Sequence, residues 1–376
     1  MSRFLDSRYK ALSPYTPGEQ PQQRKYIKLN TNESPFPPSP EVIEAVCNES
    51  KKLNLYSDPE CGIFLNKFSD YLNVKSDQVF ASNGSDEVLA IIFQALTENG
   101  VAFSDITYGF YPVYTRLYEV DTKIIPLRED FTIEPADYFD LKRTIIIANP
   151  NAPTGIALGC DEIELILKRN RDSLVVIDEA YVEFGAQTTL PLLNKYDNLL
   201  IVGTFSKSRS LAGARLGYAV ANKELIADLN RIKFSINPYN VNRMTLVAGA
   251  AALNDDRYFR ETRDKIITNR EYFLAQIKTM GFRFTDSKAN FIFTKHEKLD
   301  GRTIYRELRE KGILVRWFDK ERIKDWLRIT IGNIDDMKAV IDALREITER
   351  QSKDEKSTNK EKDNRNGYIA DTESGR

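Results

Sequence analysis

The chain has 376 residues, with 54 basic and 55 acidic side chains and a formal net charge of -1. Without a basic excess it does not read as a nucleic-acid binder, although a small anion needs only a few local cations. At 41% hydrophobic and 29% charged residues it has an ordinary globular composition. No run approaches the ~20 apolar residues of a membrane helix, so no membrane partner is expected, and the length suggests roughly two or three domains.

Residues 1–40 are polar and carry Pro14, Pro17 and Pro21, ending in the proline-rich run SPFPPSP at 34–40. Prolines remove donors and restrict their predecessors, so this part reads as an extended arm. A helix is expected over 41–53. Beyond residue 80, short apolar runs at 101–103, 124–126, 144–148, 174–177, 199–202 and 216–220 alternate with helical stretches such as 86–97 and 161–168. Apolar strands separated by helices predict an α/β fold whose mostly parallel sheet is buried on both faces, forming a large domain over 41–242.

After residue 242 the pattern changes. Helices at 243–253 and 257–280, a strand at 290–294, a helix at 301–311, strands at 313–316 and 326–331 and a helix at 335–349 predict a smaller α+β domain over 243–350. The tail 351–376 is rich in Lys, Asp, Glu, Asn and Ser and is expected to be disordered. Cys47, Cys61 and Cys160 are too sparse for a disulfide framework or a zinc site, and are expected to be reduced thiols in a cytoplasmic protein. The N-terminus lacks the apolar stretch of a signal peptide. His296 is the single histidine, which rules out a multi-histidine metal centre, and no metal is expected.

Chemistry-bearing residues gather where apolar strands end. Lys207, in TFSKS at 204–208, follows the run 199–202. Partial burial there favours the neutral amine that a Schiff-base nucleophile requires. Most lysines at strand ends are merely solvated, but Thr204, Ser206 and Arg215 nearby would suit a phosphate. The run 174–177 delivers Asp178 at its C-terminal end, the ligand-binding edge of a parallel sheet. That carboxylate can serve a pyridine nitrogen, with Tyr181 donating to a phenolic oxygen, although a strand-ending Asp often only caps a turn.

SNGSDE at 82–87 opens an apolar helix, so Gly84, Ser85 and Asp86 shape an anion-binding N-terminus or a plain cap. NPNAPTG at 149–155 makes a fixed turn whose asparagines can reach a ring oxygen or simply brace the loop. Tyr108 can stack on a flat ring, though a tyrosine is more often core. Arg328 interrupts an apolar strand and requires an anionic partner, either a substrate carboxylate or a protein one.

In this order the stretches LSPY at 12–15, KLNTNE at 28–33, GSDE at 84–87, TYGFY at 107–111, NPNAPTG at 149–155, DEAYVEF at 178–184, TFSKSRSLAGARLGY at 204–218 and LRITIG at 327–332 resemble the fold-type I pyridoxal-phosphate (PLP) aminotransferases, and within them the histidinol-phosphate aminotransferase family. The resemblance covers residues 10–348. It implies PLP as cofactor, joined to Lys207, which then shuttles the substrate proton. It also implies Asp178 at the pyridinium, Tyr181 on the phenolic oxygen, Tyr108 on the ring face, Gly84, Ser85, Thr204, Ser206 and Arg215 around the phosphate, and Asp86 among the cofactor-binding residues.

Tyr56 matches a tyrosine that reaches the neighbouring subunit's cofactor phosphate, which implies a homodimer. Arg328 matches the arginine for the carboxylate of glutamate, and Tyr15 and Arg316 match positions near the phosphate of an imidazole substrate. The chain departs from the family at Ala152, where an asparagine commonly precedes Pro-Thr-Gly; Asn151 is expected to supply that amide. The implied reaction is ping-pong transfer of the amino group of glutamate to imidazole-acetol phosphate. An aromatic aminotransferase, a threonine-phosphate decarboxylase and a non-catalytic PLP-fold binding protein stand as alternatives.

Overall fold

A computed structural model describes residues 2–21 and 25–350. A short strand β1 (Ile27–Lys28) and helices α1 (Pro40–Glu49) and α2 (Gly62–Leu72) lead into an alternating region. That region comprises β2 (Val79–Asn83), α3 (Ser85–Ala95), β3 (Val101–Ser104), α4 (Tyr111–Leu117), β4 (Thr122–Ile125), β5 (Thr144–Ala148), α5 (Cys160–Arg169), β6 (Val175–Asp178), β7 (Leu199–Thr204), β8 (Leu216–Ala221) and α6 (Lys223–Ile236). Helices α7 (Arg243–Asn254) and α8 (Asp256–Lys278) follow, then β9 (Phe282–Phe284), β10 (Phe291–His296), α9 (Gly301–Glu310), β11 (Ile313–Leu314), β12 (Arg316–Trp317), β13 (Leu327–Thr330) and α10 over 334–350.

The large sheet has seven strands in the order β2-β8-β7-β6-β5-β3-β4. From β7 to β4 all neighbours are parallel, while β8 runs against both β7 and β2. The expectation of a mostly parallel sheet inside an α/β fold therefore holds. Alternate residues of one strand feed two different cores. Ile145, Ile147, Val175, Ile177, Leu199 and Ile201 face α2, α5 and α7. Ile146, Val176, Leu200 and Val202 face α3, α4 and α6. Both faces are covered, which is why these strands read as continuous apolar runs.

The smaller unit packs a four-stranded antiparallel sheet, β12-β13-β10-β9, against α8, α9 and α10. The expected strand 313–316 is two strands with different partners: β11 pairs in parallel with β1 of the arm, and β12 pairs with β13. One boundary needs correcting. The sequence reading started the smaller domain at 243, but α7 lies in the same apolar cluster as the large sheet, through Leu246, Ala248, Ala251 and Ala252. The apolar cluster of the smaller unit begins only in α8, with Ile266 and Phe273. The small residues of α7 let it sit close on β8 and α2, a packing that helical periodicity alone cannot assign to one layer. The tail 351–376 lies outside the described residues.

Gly249 sets that close approach. A Cβ there would come within 2.3 Å of Leu216 Cδ2 and 2.9 Å of Phe64 Cδ2. Glycine to alanine in a free helix interior gains about 1 kcal/mol, whereas overpacking a core costs about 1–3 kcal/mol. The second effect is expected to win. Urea unfolding should find Gly249→Ala less stable by about 1–2 kcal/mol; a gain in stability would contradict the packing.

Candidate active site

The C-terminal ends of β5, β6 and β7 and the N-terminus of α3 open on one cavity, lined by Asp178, Tyr181, Thr204, Ser206, Lys207, Arg215, Ser85, Asp86, Tyr108 and Ala152. Two groups on its floor are held away from their usual ionisation. Asp178 ends β6 and is buried. Its Oδ2 accepts from Tyr111 Oη at 2.9 Å and its Oδ1 from the Ala180 N–H at 3.2 Å. Burial outweighs these bonds and pushes the carboxyl up to about 6. Lys207 lies just beyond β7. Burial, reinforced by the charge of Arg328, lowers its amine to about 8 from the usual 10.5. That raises the neutral fraction at pH 7 roughly several-hundredfold.

The phosphate-like cup is built from both sides. Gly84, at φ +77, leads into α3 in a backbone conformation that favours glycine, and a Cβ on it would meet Arg215 Nη2 at 2.3 Å and displace the guanidinium. Ser85 is the first residue of α3, where free N–H groups attract anions. Thr204 Oγ1 lies 2.9 Å from Ser206 Oγ and accepts from the Ser206 N–H at 3.1 Å. Arg215 pairs with Asp86 at 3.0 Å, and Tyr108 donates to the same carboxylate at 2.8 Å. Of these sequence-predicted residues, Ser85, Asp86, Tyr108, Thr204, Ser206 and Arg215 line the cavity, and Gly84 sits just behind it at the start of α3.

A second cavity of about 350 Å³ opens outward past Tyr108 and Ala152, and Tyr15, Arg316 and Arg328 line it. Arg316 and Arg328 stand opposite one another across the β12–β13 pair. Directly opposed like charges are destabilising unless an anion lies between them. Burial lowers the pKa of Arg328, and its Nε has no hydrogen-bond partner among the described residues. Arg116 and Lys320 add two more cations to the walls, against Asp105 as the acid. Tyr15 stacks on Phe110 at 4.2 Å between ring centroids.

One expectation differs. Asn151 does not reach the cofactor cavity: its Nδ2 donates to Ile106 O at 2.9 Å and lies 3.1 Å from Thr154 Oγ1. Both amide hydrogens are spent bracing the turn, and Ala152 is the residue that faces inward. Tyr56, whose expected place is at a neighbouring subunit's cofactor, lies outside this chain's own cavity. It is 78% exposed and stacks on Tyr239 at 4.6 Å.

Four contributors had no assigned role in the sequence reading. Tyr111 is fully buried against Asp178. Three consecutive arm residues each hold one functional side chain. The Asn30 carbonyl accepts from Arg328 Nη2 at 2.9 Å, the Thr31 carbonyl from Lys207 Nζ at 3.3 Å, and Asn32 Nδ2 donates to Tyr181 Oη at 3.0 Å. The stretch KLNTNE was visible as a resemblance, but nothing in its spacing announces these contacts.

The residues fit PLP. A buried carboxylate without a cation suits a pyridinium, a low-pKa lysine suits an aldehyde, and the α3 terminus with Arg215 suits a phosphate. The burial of Asp178 also makes a measurable demand on folding. Its folded value, about 6, exceeds the ordinary 3.8. Between the two, the folded protein holds a proton that the unfolded chain has released, so this group's contribution falls as pH rises through that window. Cofactor-free Asp178→Asn should therefore be more stable than the parent at pH 7 by roughly 2–3 kcal/mol in urea unfolding, with the difference gone below about pH 3.5. Equal stability at pH 7 would contradict the buried charge.

Comparison with known proteins agrees with this geometry. The family described as aminotransferase class I and II matches residues 24–344. A histidinol-phosphate aminotransferase of Marinomonas sp. (strain MWYL1) is 49% identical over 353 residues, 92% of this chain and 100% of that protein. One from Brachyspira hyodysenteriae is 45% identical over 351 residues, 92% of this chain and 99% of that protein. The crystal structure of histidinol-phosphate aminotransferase from Sinorhizobium meliloti in complex with pyridoxal-5'-phosphate superposes with a TM-score of 0.84 at 23% identity, covering 93% of this chain and 100% of that one. The chain belongs to the class I and II aminotransferase family.

Proposed function

We propose that this protein is a PLP-dependent transaminase that exchanges the amino group of glutamate with imidazole-acetol phosphate, giving 2-oxoglutarate and histidinol phosphate. The observation that carries the reading is the opposed pair Arg316 and Arg328, set in a cationic cavity beside the low-pKa Lys207. Both substrates are anions, a dicarboxylate and a phosphate monoester, and each would relieve that juxtaposition in turn. The names of the relatives at 43–49% identity support the same substrate.

The cofactor, when bound, supplies an aldehyde carbon for the substrate amine and a ring that takes up electrons. The chain's residues do the rest. Asp178, held by Tyr111, keeps a negative charge at the ring nitrogen. Tyr181 offers a hydroxyl to the ring's phenolic oxygen, and Tyr108 covers the ring face. Arg215, Ser85, Thr204 and Ser206 hold the phosphate. Arg328 takes the glutamate carboxylate, while Tyr15 and Arg316 hold the far end of the phosphorylated substrate. Lys207 Nζ would be the base that takes the proton from the amine-bearing carbon.

The reading extends to a cytoplasmic homodimer. Tyr56 is exposed, with Leu53 and Leu55 exposed beside it; in a dimer it would close the partner's phosphate cup. The three cysteines are free thiols.

Purified protein should form glutamate from 2-oxoglutarate and histidinol phosphate in preference to phenylalanine or threonine phosphate; no glutamate from histidinol phosphate would overturn the assignment. Arg328→Gln should cut kcat/KM for glutamate by about 10²–10³-fold, the usual effect of removing one side of a buried charge-assisted pair. A loss under threefold would remove Arg328 from the substrate site.

A further inference from the structure

We propose that Asn32 is a positioning residue that aims the hydroxyl proton of Tyr181 into the cofactor cavity, in place of the amide that Ala152 lacks. Asn32 is 1% exposed and sits in the left-handed region at φ 56, strained backbone for a residue other than glycine. Its surroundings leave little choice of orientation. The Asn32 N–H donates to Thr330 Oγ1 at 3.0 Å, and Thr330 Oγ1 lies 3.0 Å from Asn32 Oδ1. The threonine hydroxyl has one proton, and Oδ1 is the acceptor it faces. The other end of the amide, Nδ2, therefore faces Tyr181 Oη at 3.0 Å as a donor. The Asn32 carbonyl is in turn held by Asn290 Nδ2 at 3.1 Å.

A phenol that accepts from Nδ2 keeps its own proton for another partner. Tyr181 packs edge-on against Phe291, 5.1 Å between centroids, so its ring cannot swing away from the cavity. The direction left for its proton is the cavity that Asp178 and Lys207 also line. Ala152 faces the cavity without a polar group, and Asn151 is turned outward. Tyr181 is then the hydroxyl with a free proton directed into that part of the cavity, where it would meet the cofactor's phenolic oxygen. That raises what depends on Asn32. The same amide reaches Thr330 on β13, two residues from Arg328, so the tyrosine proton is tied to the strand that binds substrate carboxylate.

The inference rests on the PLP reading, and the test separates the two. In the PLP-loaded protein, a donor on the phenolic oxygen draws charge from it, so the nitrogen joined to Lys207 gives up its proton at lower pH. Asn32→Asp keeps the shape, removes the donor and turns the Tyr181 proton toward the new carboxylate. The pH midpoint of the visible band should then rise by about one unit, tenfold in that equilibrium, the size of one hydrogen bond to a charged oxygen. Adding Ala152→Asn to this variant should bring the midpoint back down. Thr330→Val, which frees the amide to turn without touching Tyr181, should raise it by a smaller amount, so the result does not depend on one variant folding.

Asn32→Asp also adds a charge, so Thr330→Val, which adds none, decides: a purely structural Asn32 would lower thermal stability and leave the Thr330→Val midpoint unmoved, and that result overturns the proposal. Should the parent protein show no visible band with PLP, the cofactor reading fails instead. The Asn32 contact would still be decided in cofactor-free protein by ¹³C-tyrosine NMR. There, loss of the donor should raise the pH at which Tyr181 ionises, and an unchanged titration would refute the contact.

Discussion

A carboxylate that ends a buried parallel strand is cut off from solvent by the strands beside it. Asp178 is in that position: β5 and β7 flank it, and among the described residues two hydrogen-bond donors and the charge of Lys207 offset its own only in part. The buried α/β sheet creates the difficulty, since the same apolar flanks that make β6 a stable central strand exclude solvent from its last residue. A cationic ring nitrogen resolves it. The cavity follows from that need, with a lysine whose amine burial holds below its usual pKa on one wall and an anion cup on another. Stability is given up where chemistry is gained.

The arm carries that arrangement from the large sheet to the smaller unit. Strand β1 pairs with β11, which fixes the register of the next few residues. Asn30, Thr31 and Asn32 then touch Arg328, Lys207 and Tyr181 in succession. Backbone carbonyls do most of this, so the contacts follow from chain path more than from side-chain identity. Asn32 is the exception, where both ends of an amide are used. Three consecutive residues thus link Arg328 of the smaller unit to Lys207 and Tyr181 beside the large sheet.

Much of this was legible in the sequence, for identifiable reasons. The buried strands stand out because a doubly covered strand is uniformly apolar, and Asp178 and Lys207 stand out because each is polar at the end of such a run. Strand order and the reversed direction of β8 carry no periodic signature. Strand β2 and helices α2, α4 and α6 were not picked out, and α7 was placed in the wrong unit because its alanines and glycine suit either layer. Asn151 was misjudged because which of two adjacent turn residues faces inward depends on loop geometry that composition does not encode. Tyr111 and Asn32 escaped because their partners lie 67 and 149 residues away, so no local spacing brings them together.

The central claim is that Lys207 is the residue to which PLP is joined. Borohydride reduction of the PLP-loaded protein followed by trypsin and mass spectrometry tests it directly. The account predicts one modified peptide, 196–209, left uncut at Lys207 and carrying the reduced cofactor, and none from Lys207→Ala. A modified peptide elsewhere, or an unmodified Lys207 in a protein that keeps its colour after reduction, would contradict it.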